Sequence, residues 1–365
     1  MPAFAAVASL LIAAFPMHAA VASADSNPAA APMAPLSLCA APTAPVAFAG
    51  YVPIGGIEQW ITVRGDHCGQ PIVLVVHGGP GNALSPYADA LFGDIEGEFT
   101  VVQWDQRGAG RTFGRNPGTA EASLTLPQMT ADGIEVATRV AAALGQDKVI
   151  LLGGSWGSAL AVHMAKARPD AFHAYVGAGQ LVHERENGAD SVARLRVLAE
   201  AAGDTQTLAM LDSLGAPPWT NPRAFGQLRR ATRVYEAKST IAAPAHWWKP
   251  AAEYATPADL AAAEASDEYS YIEFVGMKGG GMISQVDLPA LGTDFPLPIT
   301  LVQGEHDLVT TKDVARRWFD SLQAPEKQFV LLPNSGHDPN EEMLAAEIAA
   351  LRRIRASLPA ANAAE

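Results

Sequence analysis

An α/β fold, with a mostly parallel sheet and an inserted helical unit, is predicted by three features of this 365-residue chain. Short apolar runs alternate with helical segments from about Gly50 to Gly179. The alternation stops between about His183 and Leu291, where helical spacing continues without strands. Strand-like runs then return before the C-terminus. Strands that alternate with helices build crossover units, which make neighbouring strands parallel and cover both faces of the sheet.

Taken in order, Trp60 to Arg64 reads as an early strand. Ile72-Val73-Leu74-Val75-Val76 is continuously apolar, as a strand buried on both faces must be. Thr100 to Trp104, Val149 to Leu152 and Tyr175 to Ala178 repeat the type. Leu126 to Leu144 and Ser158 to Arg168 read as helices, the second stopped by Pro169. Residues 183–291, dominated by Ala, Leu, Arg and Glu, are read as a helical cap. Pro298 to Val302 and Gln328 to Leu332 resume the strand pattern, and a helix follows from about Glu341 to Ala356. The core is thus expected over residues 50–182 and 292–365.

The N-terminal region reads differently. Ala3 to Phe15 is almost wholly apolar, and no charged residue precedes Asp25. The segment is short for a membrane span and is interrupted by Pro16 and His18, while Ala22-Ser23-Ala24 offers a small-residue cleavage site. Residues 1–24 are therefore expected to be a signal peptide, although no Lys or Arg supplies its usual positive start, and the protein is expected to be exported to the periplasm or beyond. Residues 25–49 carry Pro28, Pro32, Pro35, Pro42 and Pro45 without apolar periodicity and are read as a linker. Cys39 and Cys68 are expected to be free thiols; the alternative is a bond that pins the tail to the core. Neither lies in a metal-binding pattern, so no metal site is expected. A formal net charge of -13 argues against nucleic acid, whose phosphates require a basic face.

Chemistry concentrates where strands end. Gly153-Gly154-Ser155-Trp156-Gly157 fits G-x-S-x-G, follows a strand and opens a helix. A serine at the tip of so tight a turn leaves no room for side chains two positions to either side, hence the glycines. His77-Gly78-Gly79-Pro80-Gly81 follows the strand ending at Val76. Its glycines let backbone N–H groups approach a substrate oxygen, and an oxyanion hole is assigned to the N–H groups of Gly79 and Trp156. His77 is read as structural. Asp307 lies just past the strand ending at Val302, and His337 lies past the strand ending at Leu332. The order Ser155, Asp307, His337, each after a core strand, is that of the α/β-hydrolase fold and assigns nucleophile, orienting acid and general base.

These residues resemble the prolyl iminopeptidase family of α/β-hydrolases. The similarity lies in His77 to Gly81, in Asp105-Gln106-Arg107-Gly108-Ala109-Gly110-Arg111, in Gly153 to Gly157 and in Gly304-Glu305-His306-Asp307. It implies a mostly parallel eight-stranded sheet with a helical cap, and release of an N-terminal residue, often proline, from a peptide through an acyl-enzyme. It also implies that no cofactor or metal is needed, and it implies cap glutamates that bind the substrate's free amine. Glu236, in Thr232-Arg233-Val234-Tyr235-Glu236, and Glu268, before Tyr269-Ser270-Tyr271, are the nearest counterparts. The alternative is an esterase, lactonase or amidase with the same triad, which has no need of an amine-binding pair.

Overall fold

A computed structural model describes residues 38–117, 124–219 and 221–359. The predicted signal peptide and the first part of the linker, residues 25–37, lie outside the described residues. In chain order the strands are β1 (Val46–Ile54), β2 (Ile57–Gly65), β3 (Ile72–Val76), β4 (Thr100–Trp104), β5 (Val149–Gly154), β6 (Phe172–Ala178), β7 (Ile299–Gly304) and β8 (Lys327–Leu332). They form one eight-stranded sheet in the order β1-β2-β4-β3-β5-β6-β7-β8. β1 and β2 pair antiparallel, as do β2 and β4; every other pairing is parallel. β3, β4 and most of β5 and β6 are buried along their whole length, which accounts for their continuous apolar runs.

The helices are α1 (Ala88–Phe92), α2 (Gly110–Arg115), α3 (Leu126–Ala143), α4 (Trp156–Ala167), α5 (Glu184–Ala202), α6 (Thr205–Leu214), α7 (Pro222–Glu236), α8 (Pro257–Val275), α9 (Lys312–Ser321) and α10 (Glu341–Ser357). Those from α5 to α8 lie between β6 and β7. Among the described residues, no helix is long and apolar enough to cross a membrane.

Two expectations are corrected. The stretch read as linker ends before Val46, because residues 46–49 begin β1. β1 is the edge strand, where Pro53 costs no ladder bond, and it turns into β2 through Gly55 and Gly56, both at positive φ. The cysteines are not free: Cys39 and Cys68 form a disulfide, with Cα atoms 6.1 Å apart. The backbone brings them together. Cys68 N–H donates to Ala44 O (3.0 Å) and Gly69 N–H to Pro42 O (2.9 Å), laying the segment before β1 along the β2–β3 loop.

The chain runs from β3 outward to β4 and then returns to β5 on the other side of β3. That reversal opens a crevice at the C-terminal ends of β3 and β5, the place where open α/β sheets bind ligands. The register aligns Val76 with Gly153, Gly154 with Ala178 and Gly304 with Leu332, so the loops that follow β3, β5, β6, β7 and β8 share one edge.

Candidate active site

Ser155 stands between β5 and α4 at φ 52° and ψ -121°. Among the described residues it is the one non-glycine at positive φ. Such backbone costs about 1–3 kcal/mol and persists only where its surroundings impose it. Here they do. A Cβ at Gly157 would overlap the carbonyl oxygen of Val76, and one at Gly153 would sit 2.6 Å from Gly157 O. The two glycines let α4 press against β3 and β5, and Ser155 is left at the apex.

Ser155 Oγ lies 2.9 Å from His337 Nε2, and His337 Nδ1 lies 3.1 Å from Asp307 Oδ2. With Nδ1–H donating to Asp307, Nε2 is free to accept the serine proton. Asp307 is buried but well solvated by the protein. Its Oδ1 accepts the N–H groups of Val309 and Thr310 (both 2.8 Å); its Oδ2 accepts Gln303 Nε2 (2.9 Å) and Thr310 Oγ1 (2.8 Å). Burial raises its pKa, but the charge of His337 and these hydrogen bonds outweigh burial and hold the carboxyl below its ordinary value. Gly179, at φ 52° after β6, floors the site; a Cβ there would lie 3.4 Å from His337 Nδ1.

The loop after β3 packs directly on the nucleophile. A Cβ at Gly78 would meet Ser155 Cβ at 3.2 Å, and Gly79 has φ 107°. His77 is structural here: its Nδ1–H donates to Gly78 O (2.8 Å), and its Nε2 accepts Gln106 N–H (3.2 Å). Burial lowers its pKa to about 4, so it stays neutral. Gln106 joins this loop to the nucleophile turn, donating from Nε2 to His77 O (2.9 Å) and accepting Trp156 Nε1 (3.1 Å). Trp156 opens α4, so its backbone N–H has no helical carbonyl behind it and is available at the site.

A cavity of about 910 Å³ opens over Ser155. Gly79, Ser155, Trp156, His337 and Glu236 all line it. Glu236, the last residue of α7, reaches down to the triad loops. Its Oε1 accepts Leu308 N–H (2.7 Å) and its Oε2 accepts His337 N–H (3.1 Å). Burial, then the nearby charge of Asp307, push its pKa up to about 7.

Glu268 is not brought to the site. It is exposed and absent from the cavity wall, whereas Leu260, Ala263, Glu264 and Asp267 of the same helix line it. Their helical spacing defines the inward face of α8, and Glu268 is turned about 100° from Asp267. On that helix Glu264 and Asp267, not Glu268, are the acidic residues at the cavity wall, and Glu184, at the start of α5, and Glu347, on α10, also line it. Sequence reading missed Glu184 and Glu347 because nothing local marks them.

The run from Asp105 to Arg111 is a hub. Asp105 accepts Ser85 Oγ (2.6 Å) and Arg111 N–H (2.9 Å). Arg107, buried, pairs with Asp132 on α3 at 2.8 Å and donates to Gly55 O (2.8 Å). Arg111 pairs with Asp259 on α8 at 2.7 Å and lies over the rings of Trp60 and Tyr254.

The model of a family described as alpha/beta hydrolase fold matches residues 71–343. A probable aminopeptidase of Bacillus subtilis, YbaC, is 26% identical over 312 residues, which are 81% of this chain and 92% of that one. A proline iminopeptidase of Neisseria gonorrhoeae is 35% identical over 123 residues, only 33% of this chain and 36% of its own length. Among solved structures, a proline iminopeptidase of Mycobacterium smegmatis superposes with a TM-score of 0.62 at 21% identity, over 85% of this chain and 99% of that one; the likeness is one of fold. The matched stretch begins one residue before β3 and runs past His337, so it holds every strand of the parallel sheet and all three residues of the Ser–His–Asp array. The chain belongs to the α/β-hydrolase fold family.

Proposed function

We propose that the protein is a serine hydrolase of aminopeptidase type, releasing an N-terminal residue from short peptides. The observation that carries the reading is the hydrogen-bonded series Ser155 Oγ, His337 Nε2, His337 Nδ1 and Asp307 Oδ2, with the serine on a strained turn over a cavity. Ser155 attacks the scissile carbonyl while His337 takes its proton. Gly79 and Trp156 N–H groups face the developing oxyanion. His337 returns the proton to the leaving amine, and water then cleaves the acyl-enzyme by the same route.

Two features support an amine-bearing substrate. Glu184, Glu264 and Asp267 place carboxylates on the cavity wall, and none has a Lys or Arg within ion-pair distance among the described residues. The relatives named above as aminopeptidases act in the same direction. The Cys39–Cys68 bond suits an oxidising compartment and so supports export.

The test is steady-state hydrolysis of a proline arylamide, its N-acetylated form and short acyl esters. Cleavage confined to the free-amine arylamide is expected. Ester turnover without arylamide turnover would replace the peptidase reading with an esterase one. Ser155→Ala is expected to abolish turnover of every substrate, and Asp307→Asn to reduce kcat by about 10⁴-fold. Persistent activity in purified Ser155→Ala protein would overturn the mechanism itself.

A further inference from the structure

Three buried side-chain atoms without a hydrogen-bond partner among the described residues belong to residues of the cavity wall: Asn187 Nδ2, Ser191 Oγ and Arg229 Nη1. Asn187 and Ser191 are four residues apart on α5 and share a face. Arg229 is on α7, which packs against α5. The amide orientation of Asn187 is fixed, because its Oδ1 accepts the N–H groups of Val182 (3.2 Å) and His183 (3.1 Å). The end left over is therefore the two-proton donor. Arg229 differs from the other arginines of the cavity. Arg111 pairs with Asp259 at 2.7 Å and Arg233 with Asp338 at 3.4 Å, whereas Arg229 has no carboxylate within ion-pair distance among the described residues.

Orphaned donors of this kind are expensive: each buried one costs on the order of 1–3 kcal/mol, and an unpaired guanidinium costs more. They are tolerated where a ligand supplies the missing acceptor. All three can donate, and a guanidinium and an amide N–H₂ lining the same cavity are the donor types that the paired oxygens of a carboxylate accept. A dianion fits less well, since Glu236 and Asp338 lie on the same wall and would repel its second charge.

We propose that Asn187, Ser191 and Arg229 form a carboxylate-binding subsite of the catalytic cavity, so that the substrate carries a free carboxylate. Combined with the aminopeptidase reading, on which this part rests, the substrate is a dipeptide or similarly short peptide. Its ammonium faces Glu264 and Asp267 of α8, and its C-terminus faces Asn187, Ser191 and Arg229 on α5 and α7.

The subsite is tested without catalysis by calorimetric titration of Ser155→Ala protein with 4-phenylbutyrate and, separately, 4-phenylbutanamide. The carboxylate is expected to bind roughly 10- to 100-fold more tightly, the range for a hydrogen-bonded charge. Arg229→Met should collapse that ratio toward unity. Asn187→Asp should do the same while keeping the acceptor used by Val182 and His183, which guards against misfolding. Arg229→Lys should retain part of the preference. Equal binding of the two probes, no binding of the carboxylate at millimolar concentration, or a preference that survives both Arg229→Met and Asn187→Asp would each overturn the subsite. In parallel, a dipeptide is compared with its C-terminal amide in the enzyme with Ser155 intact, and a kcat/KM ratio of similar size is expected. Probe discrimination without any peptide turnover retires the aminopeptidase reading and leaves the subsite standing. Peptide turnover without discrimination does the reverse.

Discussion

Glu236 joins the cap to the chemistry through one side chain. One oxygen holds the loop of the acid and the other holds the backbone of the base. Only the ionised form accepts both N–H groups well, and its pKa is raised to about 7. Loss of the Glu236 proton is therefore required on the acid side, in addition to the neutral imidazole that His337 needs as general base. The acid limb of log kcat/KM is expected to be steeper than a single ionisation allows. In Glu236→Gln, whose N–H₂ would face a backbone N–H, kcat should fall about 10-fold or more and the limb should return to unit slope. A wild-type limb of unit slope would remove Glu236 from the pH dependence. Glu347 offers a separate test. Burial pushes its pKa from 4.5 up to about 8. The folded state therefore keeps a proton that the unfolded chain loses, and its contribution to stability is present below pH 4.5 and is lost as pH rises to about 8. Glu347→Gln removes that loss. The difference in Tm between variant and wild type should be small at pH 4.5 and grow in favour of the variant up to pH 8, read by thermal unfolding across that range.

Elements meet at the segment after β4. Arg107 and Asp132 are 1% and 0% exposed in their side chains, so neither charge can be left alone without a large desolvation cost. Arg107→Met is expected to destabilise the fold by about 3–5 kcal/mol. Arg107→Met with Asp132→Leu should recover much of that loss, because the second change removes the stranded carboxylate. Urea unfolding of the two variants checks both. The chemistry of this segment was only partly legible. Its residues were singled out by resemblance, but their partners lie far along the chain, as Asp132, Asp259 and Tyr254 do, and no local pattern points to them. The nucleophile turn was legible because its constraint is local: strand, Gly-x-Ser-x-Gly, helix. Glu268 was misplaced for a related reason. The composition of α8 shows that carboxylates are present, but only its packing against the start of α2, through Gly110 and Ser266, decides which face turns inward.

At the scale of the molecule, the buried strands could be read because a strand covered on both faces is apolar without interruption. β1 could not, since an edge strand half exposed to solvent looks like any proline-bearing tail; Gly55-Gly56 between two β-forming runs is the one local signal that could have marked it, and sequence reading passed over it. The closure of that edge also explains the cysteines. Cys39 precedes β1 and Cys68 precedes β3, so their bond ties the start of the sheet to its interior across a sequence separation of 29 residues. A loop of that length removes enough freedom from the unfolded chain to stabilise the fold by about 2–4 kcal/mol. The bond lies at the N-terminal end of β3, whereas the loop that packs on Ser155 leaves its C-terminal end. Stability and catalysis should therefore separate. Cys39→Ser with Cys68→Ser is expected to lower the urea midpoint by the equivalent of about 2–4 kcal/mol while kcat at low temperature stays within twofold of the parent. A fall in kcat as large as the loss of stability would show instead that the edge hairpin controls the geometry of the site.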